Sequence, residues 1–284
     1  NLAVTRWSED GAKDNDGSFI YLRDLHTGDF WSAAYQPTLK KSRNYEAVFS
    51  QSRAEFKRRD YNIDTHTEIV VSPEDEAELR RLTITNRSRD KRSIEFTSYV
   101  EPVINYQEAD PAHPAFGKLF LQTEIIKPYQ AVICRRRPRS ENDKFPILMH
   151  IMAVHGNSNT PASYETDRAK FIGRCGTTAD PAAMHDSGML PGTAGSVLDP
   201  VISIRGAVEL EPQESAVIDY VTALCADMED VRRLMEKYRD RNLSDRVFNL
   251  SWTNGQVALQ QINATEAEAQ LYGCLLYTSD AADE

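Results

Sequence analysis

From residue 18 to about residue 226 the chain repeats one pattern: short runs in which apolar or β-branched residues alternate with polar ones, each closed by a turn signal. A period of two sends successive side chains to opposite faces of a strand, so the pattern commits this region to sheets with a buried face. Residues 19–25 and 30–33 flank His26-Thr27-Gly28-Asp29 and predict a hairpin with a glycine turn. Ile63, Thr65, Thr67, Ile69 and Val71 alternate with polar residues and are expected on one buried face. Residues 79–85 and 93–104 are expected to pair through Asn86-Arg87-Ser88-Arg89-Asp90. Residues 201–210 and 215–224 are expected to do so through Glu211-Pro212-Gln213-Glu214. Runs at 119–126, 131–136 and 146–154 continue the series. Many strands at short intervals predict a mainly β fold, a large antiparallel sandwich over residues 1–226.

The period changes after Ala226. Asp227 is placed to cap a helix carrying Val231, Leu234, Met235 and Tyr238. Ser244 is expected to cap a second, with Asn254-Gly255 as a possible break, and Thr265 with Glu268 has capping-box spacing for a third. Residues 227–272 therefore read as a helical linker. The sequence opens on Asn1-Leu2-Ala3-Val4, and its character changes again at Cys274. The expectation is a truncated gene product in which residues 274–284 are a non-native, adapter-derived tail that interrupts the third helix. Residues 156–200 form the longest irregular stretch, rich in Gly, Pro, Ser and Thr. Phe171 and Ile172 within it argue against plain disorder.

A net charge of −10 argues against a nucleic-acid-binding role, which needs a basic face to displace counterions. One basic cluster, Arg135-Arg136-Arg137-Pro138-Arg139, is expected at a strand end in a solvated or interface role. No run approaches the roughly 18 uninterrupted apolar residues that a spanning helix needs. The four cysteines lack metal-ligand spacing and read as free thiols of a reducing compartment. The six histidines show no metal-binding pattern, and no nucleotide loop or nucleophile elbow is present.

Several motifs in order carry a resemblance: Asp16-Gly17-Ser18-Phe19-Ile20-Tyr21-Leu22-Arg23-Asp24, Leu82-Thr83-Ile84-Thr85-Asn86, and Glu165-Thr166-Asp167-Arg168 with Phe171-Ile172-Gly173-Arg174. Gly195-Ser196-Val197-Leu198-Asp199-Pro200 completes them. The chain resembles the N-terminal sandwich of family 94 glycoside phosphorylases. His113-Pro114-Ala115-Phe116-Gly117-Lys118-Leu119-Phe120 is closer to the phosphorylase-like region of cyclic β-1,2-glucan synthases. The resemblance implies a galactose-mutarotase-like supersandwich, then linker helices and an (α/α)6 barrel in cis that holds the catalytic acid. It implies no cofactor, with inorganic phosphate as co-substrate of the whole protein acting on a β-glucan or β-glucoside oligosaccharide. A homodimer in which a sandwich loop reaches the partner's active site is implied too, as is a parent at the cytoplasmic face, tethered to the inner membrane by further N-terminal segments. No catalytic residue is carried over.

The loop position matches His113 to Gly117, just before a strand expected to start at Lys118. His113, Phe116 and Lys118 are therefore candidate substrate-proximal or interface residues. Phe116 offers either a sugar-stacking platform or interface packing. Arg168 and Arg174, with Phe171 between them, are candidates for phosphate or hydroxyl recognition, against a plainer pairing with Glu165 or Asp167. Glu101 is expected to cap a turn or pair with an arginine, and Trp31 to lie in the core. Two other classes stay open: a self-contained mutarotase-like enzyme using Glu101 with His66 or His113, and a stand-alone glycan-binding module.

Overall fold

A computed structural model of the chain describes residues 2–7, 15–140, 143–156, 161–186 and 188–280. Of the irregular stretch and the tail read in the sequence, residues 157–160, 187 and 281–284 lie outside these. The strands are β1 (Leu2–Thr5), β2 (Ser18–Asp24), β3 (Phe30–Ser32), β4 (Asn44–Ser50), β5 (Arg53–Asp60), β6 (Ile63–Val71), β7 (Ala77–Asn86) and β8 (Arg92–Val100). They continue with β9 (Pro102–Tyr106), β10 (Leu121–Ile126), β11 (Ala131–Arg136), β12 (Ile147–His155), β13 (Ser163–Asp167), β14 (Pro200–Leu210) and β15 (Ser215–Cys225). The helices are α1 (Ala109–Ala112), α2 (Pro114–Lys118), α3 (Arg168–Ile172), α4 (Met228–Arg239), α5 (Arg241–Gln261) and α6 (Glu266–Asp280).

An eight-stranded sheet in the order β10-β11-β12-β15-β7-β6-β5-β4 faces a five-stranded sheet in the order β13-β14-β8-β2-β3, and β1 pairs with β9. Every pairing among the described strands is antiparallel. The main core lies between the sheets, where Leu22, Trp31, Ile63, Leu82, Phe96, Leu148, Ile204 and Tyr220 meet. The expected fold class, a mainly β supersandwich, is the fold observed.

Two strand partnerships differ from expectation. β7 and β8 lie in different sheets, and so do β14 and β15. The connections at residues 86–90 and 211–214 are thus corners that carry the chain across the sandwich, not hairpins. They are tied together by Asn86. Its carboxamide nitrogen donates to the Asp90, Leu210 and Glu211 carbonyls at 2.8, 3.0 and 3.3 Å, and its Oδ1 accepts from the Ser88 amide at 2.9 Å. The expected strand 93–104 is also broken at Glu101, beyond which β9 turns to pair with β1.

Both outer faces are covered. On the eight-stranded sheet, Val70, Leu79, Met149 and Val221 pack under Val231, Leu234, Met235 and Tyr238 of α4 and Val247 and Phe248 of α5. In β6, Val70 is buried in this cluster whereas Val71, expected on the buried face, is exposed. Arg81 donates to Asp219 with two nitrogens, at 2.8 and 2.9 Å, and to Asp245 of α5 at 2.5 Å, and stacks on Phe248. On the five-stranded sheet, Tyr21, Tyr99 and Val201 are covered by Phe171, Ile172, Met184 and Leu190.

Asp227 caps α4 as expected, accepting from the Glu229 and Asp230 amides. The cap of α5 is Asp240, not Ser244, which is buried inside the helix. Asn254-Gly255 does not break α5. Gly255 sits where an added Cβ would lie 3.3 Å from Ser52, so its smallness serves close packing. Thr265 and Glu268 form the reciprocal capping box. Beyond it α6 runs on to Asp280, so the change in sequence character at Cys274 does not interrupt it.

Candidate functional site

The segment between β9 and β10 holds the candidate residues. His113 to Gly117 is not an extended loop. His113 ends α1 and precedes α2, and the following strand starts at Leu121 rather than Lys118. Pro114 suits the first turn of a helix because its missing N–H has no partner there. This places His113 and Phe116 on the surface, with Phe116 half exposed and edge-on to Phe120 at 5.2 Å.

The basic cluster closes over this segment. Arg136, at the end of β11, is buried and donates to the Gly117 carbonyl at 3.0 Å. Its guanidinium lies 5.4 Å from the Phe120 ring centroid and 5.4 Å from that of Phe145. Arg139 stacks on Phe116 at 5.0 Å and on Phe120 at 4.9 Å. Cations over aromatic faces are held by the ring quadrupole, which lets two guanidiniums share one neighbourhood. Burial, and then the charge of Arg139, pushes the Arg136 pKa below its ordinary value. Between these groups and Asn105, Tyr106, His113 and Asp143 lies a cleft of about 640 Å³. On the other side of α1, Arg6, Trp7, Asp16 and Asp110 line a second cleft of about 590 Å³, with Trp7 largely exposed.

The remaining candidates belong to an ion-pair network beside this segment. Lys118 pairs with Asp199 at 2.5 Å. Arg168 donates to Glu101 and to the Tyr99 hydroxyl, both at 3.1 Å, and approaches Asp199 at 3.9 Å. The plainer reading of Arg168 holds with different partners. Glu165 instead accepts the Thr166 and Asp167 amides, and Asp167 caps α3. Glu101 pairs with an arginine as expected, and also accepts from the Tyr99 hydroxyl and faces Arg6 at 3.9 Å. Burial opposes the charge on Arg168, but the Tyr99 and Glu101 oxygens raise its pKa above the ordinary value. Phe171 is fully buried against Tyr21 and Tyr99, so it supports the fold and cannot touch a ligand directly. Arg174 is exposed and makes no ion pair with the described residues.

Other chemistry is consumed internally. His66 bonds Glu55 at 2.8 Å rather than facing Glu101. Glu55, His66 and Glu68 converge closely enough to hold a metal ion, yet Arg53 bonds Glu68 at 2.6 Å and Lys57 lies 3.7 Å from Glu55. These two cations already neutralise the carboxylates. His155 and Arg81 both engage the buried Asp219, and Arg81 tethers α5 to the sheet through Asp245. Trp31 is in the core as expected. Sequence reasoning missed Asn105 and Phe145 and singled out Phe120 only as the end of the motif that starts at His113. The one available signal was the proximity of Phe145 to the arginine run.

The glycosyl hydrolase 94 supersandwich domain matches residues 1–241. The cyclic beta-(1,2)-glucan synthase NdvB of Rhizobium meliloti (strain 1021) is 34% identical over 273 residues, which cover 96% of this chain and 10% of that protein. The N,N'-diacetylchitobiose phosphorylase of Vibrio furnissii is 27% identical over 249 residues, covering 86% of this chain and 30% of that protein. Among solved structures, a putative kojibiose phosphorylase from the human microbiome superimposes with a TM-score of 0.48 at 9% identity, over 92% of this chain and 31% of that one. The chain thus spans a tenth to under a third of the length of these relatives. With a match over most of its length and its sheets arranged as described, the chain belongs to the glycosyl hydrolase 94 family as a supersandwich domain.

Proposed function

We propose that this domain is a non-catalytic carbohydrate-binding and dimerisation element of a larger glycoside phosphorylase or cyclic β-1,2-glucan synthase. In that reading an (α/α)6 barrel elsewhere in the protein carries out inverting glycosyl transfer to or from inorganic phosphate. The observation that carries it is the α1–α2 segment. It presents Phe116 to solvent beside one cleft and shares a second with the exposed Trp7 that follows β1, while the neighbouring carboxylates Glu101 and Asp199 are held by Arg6, Arg168 and Lys118. Exposed rings suit the apolar faces of pyranoses, whereas paired carboxylates are poorly placed to exchange protons. The ligand in this reading is a β-glucan or β-glucoside oligosaccharide, and the segment faces the active site of a partner subunit. The whole protein would work at the cytoplasmic face of the inner membrane, to which other segments tether it.

Saturation-transfer NMR of the chain with β-1,2-gluco-oligosaccharides tests this. The expected result is transfer to the sugar that Phe116→Ala removes while the thermal melt stays unchanged. Undiminished transfer in the folded variant would remove Phe116 from the proposal.

A further inference from the structure

The cleft between β9, α2 and β11 carries more polar capacity than the fold uses. Arg136 and Asn105 are each more than nine-tenths buried and both line it. The Arg136 Nε has no hydrogen-bond partner, and the Asn105 carboxamide makes no hydrogen bond with the described residues. A buried donor left unmade costs about 1–3 kcal/mol, so the Arg136 Nε is expected to have an acceptor to receive, and the Asn105 carboxamide lines the same cleft. The charge points the same way. Arg136 and Arg139 form no ion pair with the described residues, and both stand against the Phe120 ring. Asp143, the carboxylate lining the cleft, is already committed, since its Oδ2 accepts from the Arg139 and Ser140 amides at 3.1 and 3.2 Å. His113 adds a further nitrogen at the rim, and Phe116, Tyr106 and Phe145 supply flat walls.

We propose that this cleft binds a phosphate group, free or carried on a sugar, with Arg139, Arg136 and Asn105 as donors and the aromatic walls facing whatever carries it. Guanidinium donors meet phosphate oxygens in charge-assisted bonds roughly twice as strong as neutral ones. Asp110 and Asp143 offset part of the arginine charge, and an anion would offset more of it than a neutral sugar. The inference rests on the reading of this face as ligand-binding, but it needs neither polymer binding nor turnover.

Isothermal titration of the chain at low salt in a phosphate-free buffer, with inorganic phosphate, glucose 1-phosphate and glucose as probes, tests it. The expected result is saturable binding of a phosphate-bearing probe and none of glucose. Arg139→Gln is expected to weaken binding about tenfold or more, the loss of one charge-assisted contact. Asn105→Asp, which places a carboxylate against the anion, weakens it further, while Arg174→Gln leaves it unchanged. Equal affinity for the two phosphate probes assigns the site to free phosphate, and tighter glucose 1-phosphate assigns it to a sugar phosphate. Phe116→Ala separates the two readings, since it abolishes oligosaccharide contact but spares inorganic phosphate. Glucose binding as tight as glucose 1-phosphate would overturn the inference. So would a folded Arg139→Gln with full affinity, or no heat from either phosphate probe at concentrations about tenfold above a millimolar Kd.

Discussion

Replacing Asn86 by alanine tests how the two sheets are held in register. Asn86 is fully buried where both cross-sheet corners meet, and its carboxamide nitrogen serves three carbonyls. The Asp90 and Glu211 carbonyls lie at part-buried positions and can recruit water once the side chain is gone, so each lost bond costs about 1 kcal/mol. The bond to the Leu210 carbonyl is buried, and leaving that oxygen without this donor costs about 1–3 kcal/mol. The total is about 3–5 kcal/mol. The main-chain bonds of Asn86 to Gln213 and Glu214 survive in the variant and keep the corner geometry. With a urea m-value of about 3 kcal/mol/M for a chain of this size, the midpoint is expected to fall by about 1–1.7 M at unchanged slope. Asn86→Asp is the sharper control. It is nearly isosteric but turns the donor into a carboxylate oxygen facing three carbonyls, so it should destabilise more than alanine does. Urea unfolding followed by near-ultraviolet circular dichroism reads both. An aspartate variant within about 1 kcal/mol of the parent would show that the donor role assigned to Asn86 is wrong.

Two further predictions concern buried charge. Burial, with Arg80 nearby, drives the His150 pKa down to about 3, while its ring bonds Thr222 and Ser98 and stacks on Tyr220. The unfolded chain binds this proton below about pH 6.5 and the folded one does not. Stability is therefore lost as pH falls from about 6.5 toward 3, by about 2 kcal/mol at pH 5 relative to pH 7. His150→Gln should flatten that slope in urea titrations at the two pH values, and an unchanged slope would remove His150 as its source. Asp219→Asn, which leaves the mostly buried Arg81 without its two-pronged partner, is expected to cost about 3 kcal/mol. Asp245→Asn, at a half-exposed site on the same arginine, should cost under about 1 kcal/mol. Similar costs for the two would refute the assignment of Asp219 as the anchor.

What the sequence made legible follows from the range of each signal. Alternation in β6, β7 and β15 identifies strands and their faces because it is local. It is silent on which sheet a strand joins. The 86–90 and 211–214 turns therefore read as hairpins, although each crosses the sandwich. The capping residues Asp227 and Thr265 were legible because a cap is a short-range arrangement, while Ser244 lost its role to Asp240 four residues earlier. At the candidate site the arginine run and Phe116 were visible. The partners that give them meaning are set by the fold: Glu101 for Arg168, Asp199 for Lys118, and Asn105 and Phe120 in the surroundings of Arg136. Phe171 was misread because an aromatic in a Gly- and Pro-rich stretch looks exposed until the sheet face that it covers is known.

The most direct test of the central claim, that this domain supports a chemistry housed elsewhere, is phosphate-dependent release of glucose 1-phosphate. The assay uses the 284-residue chain alone with β-1,2-gluco-oligosaccharides and with cellobiose. No release is predicted from either substrate. Turnover that depends on phosphate and survives repurification would place the reacting groups on this sandwich and contradict the account.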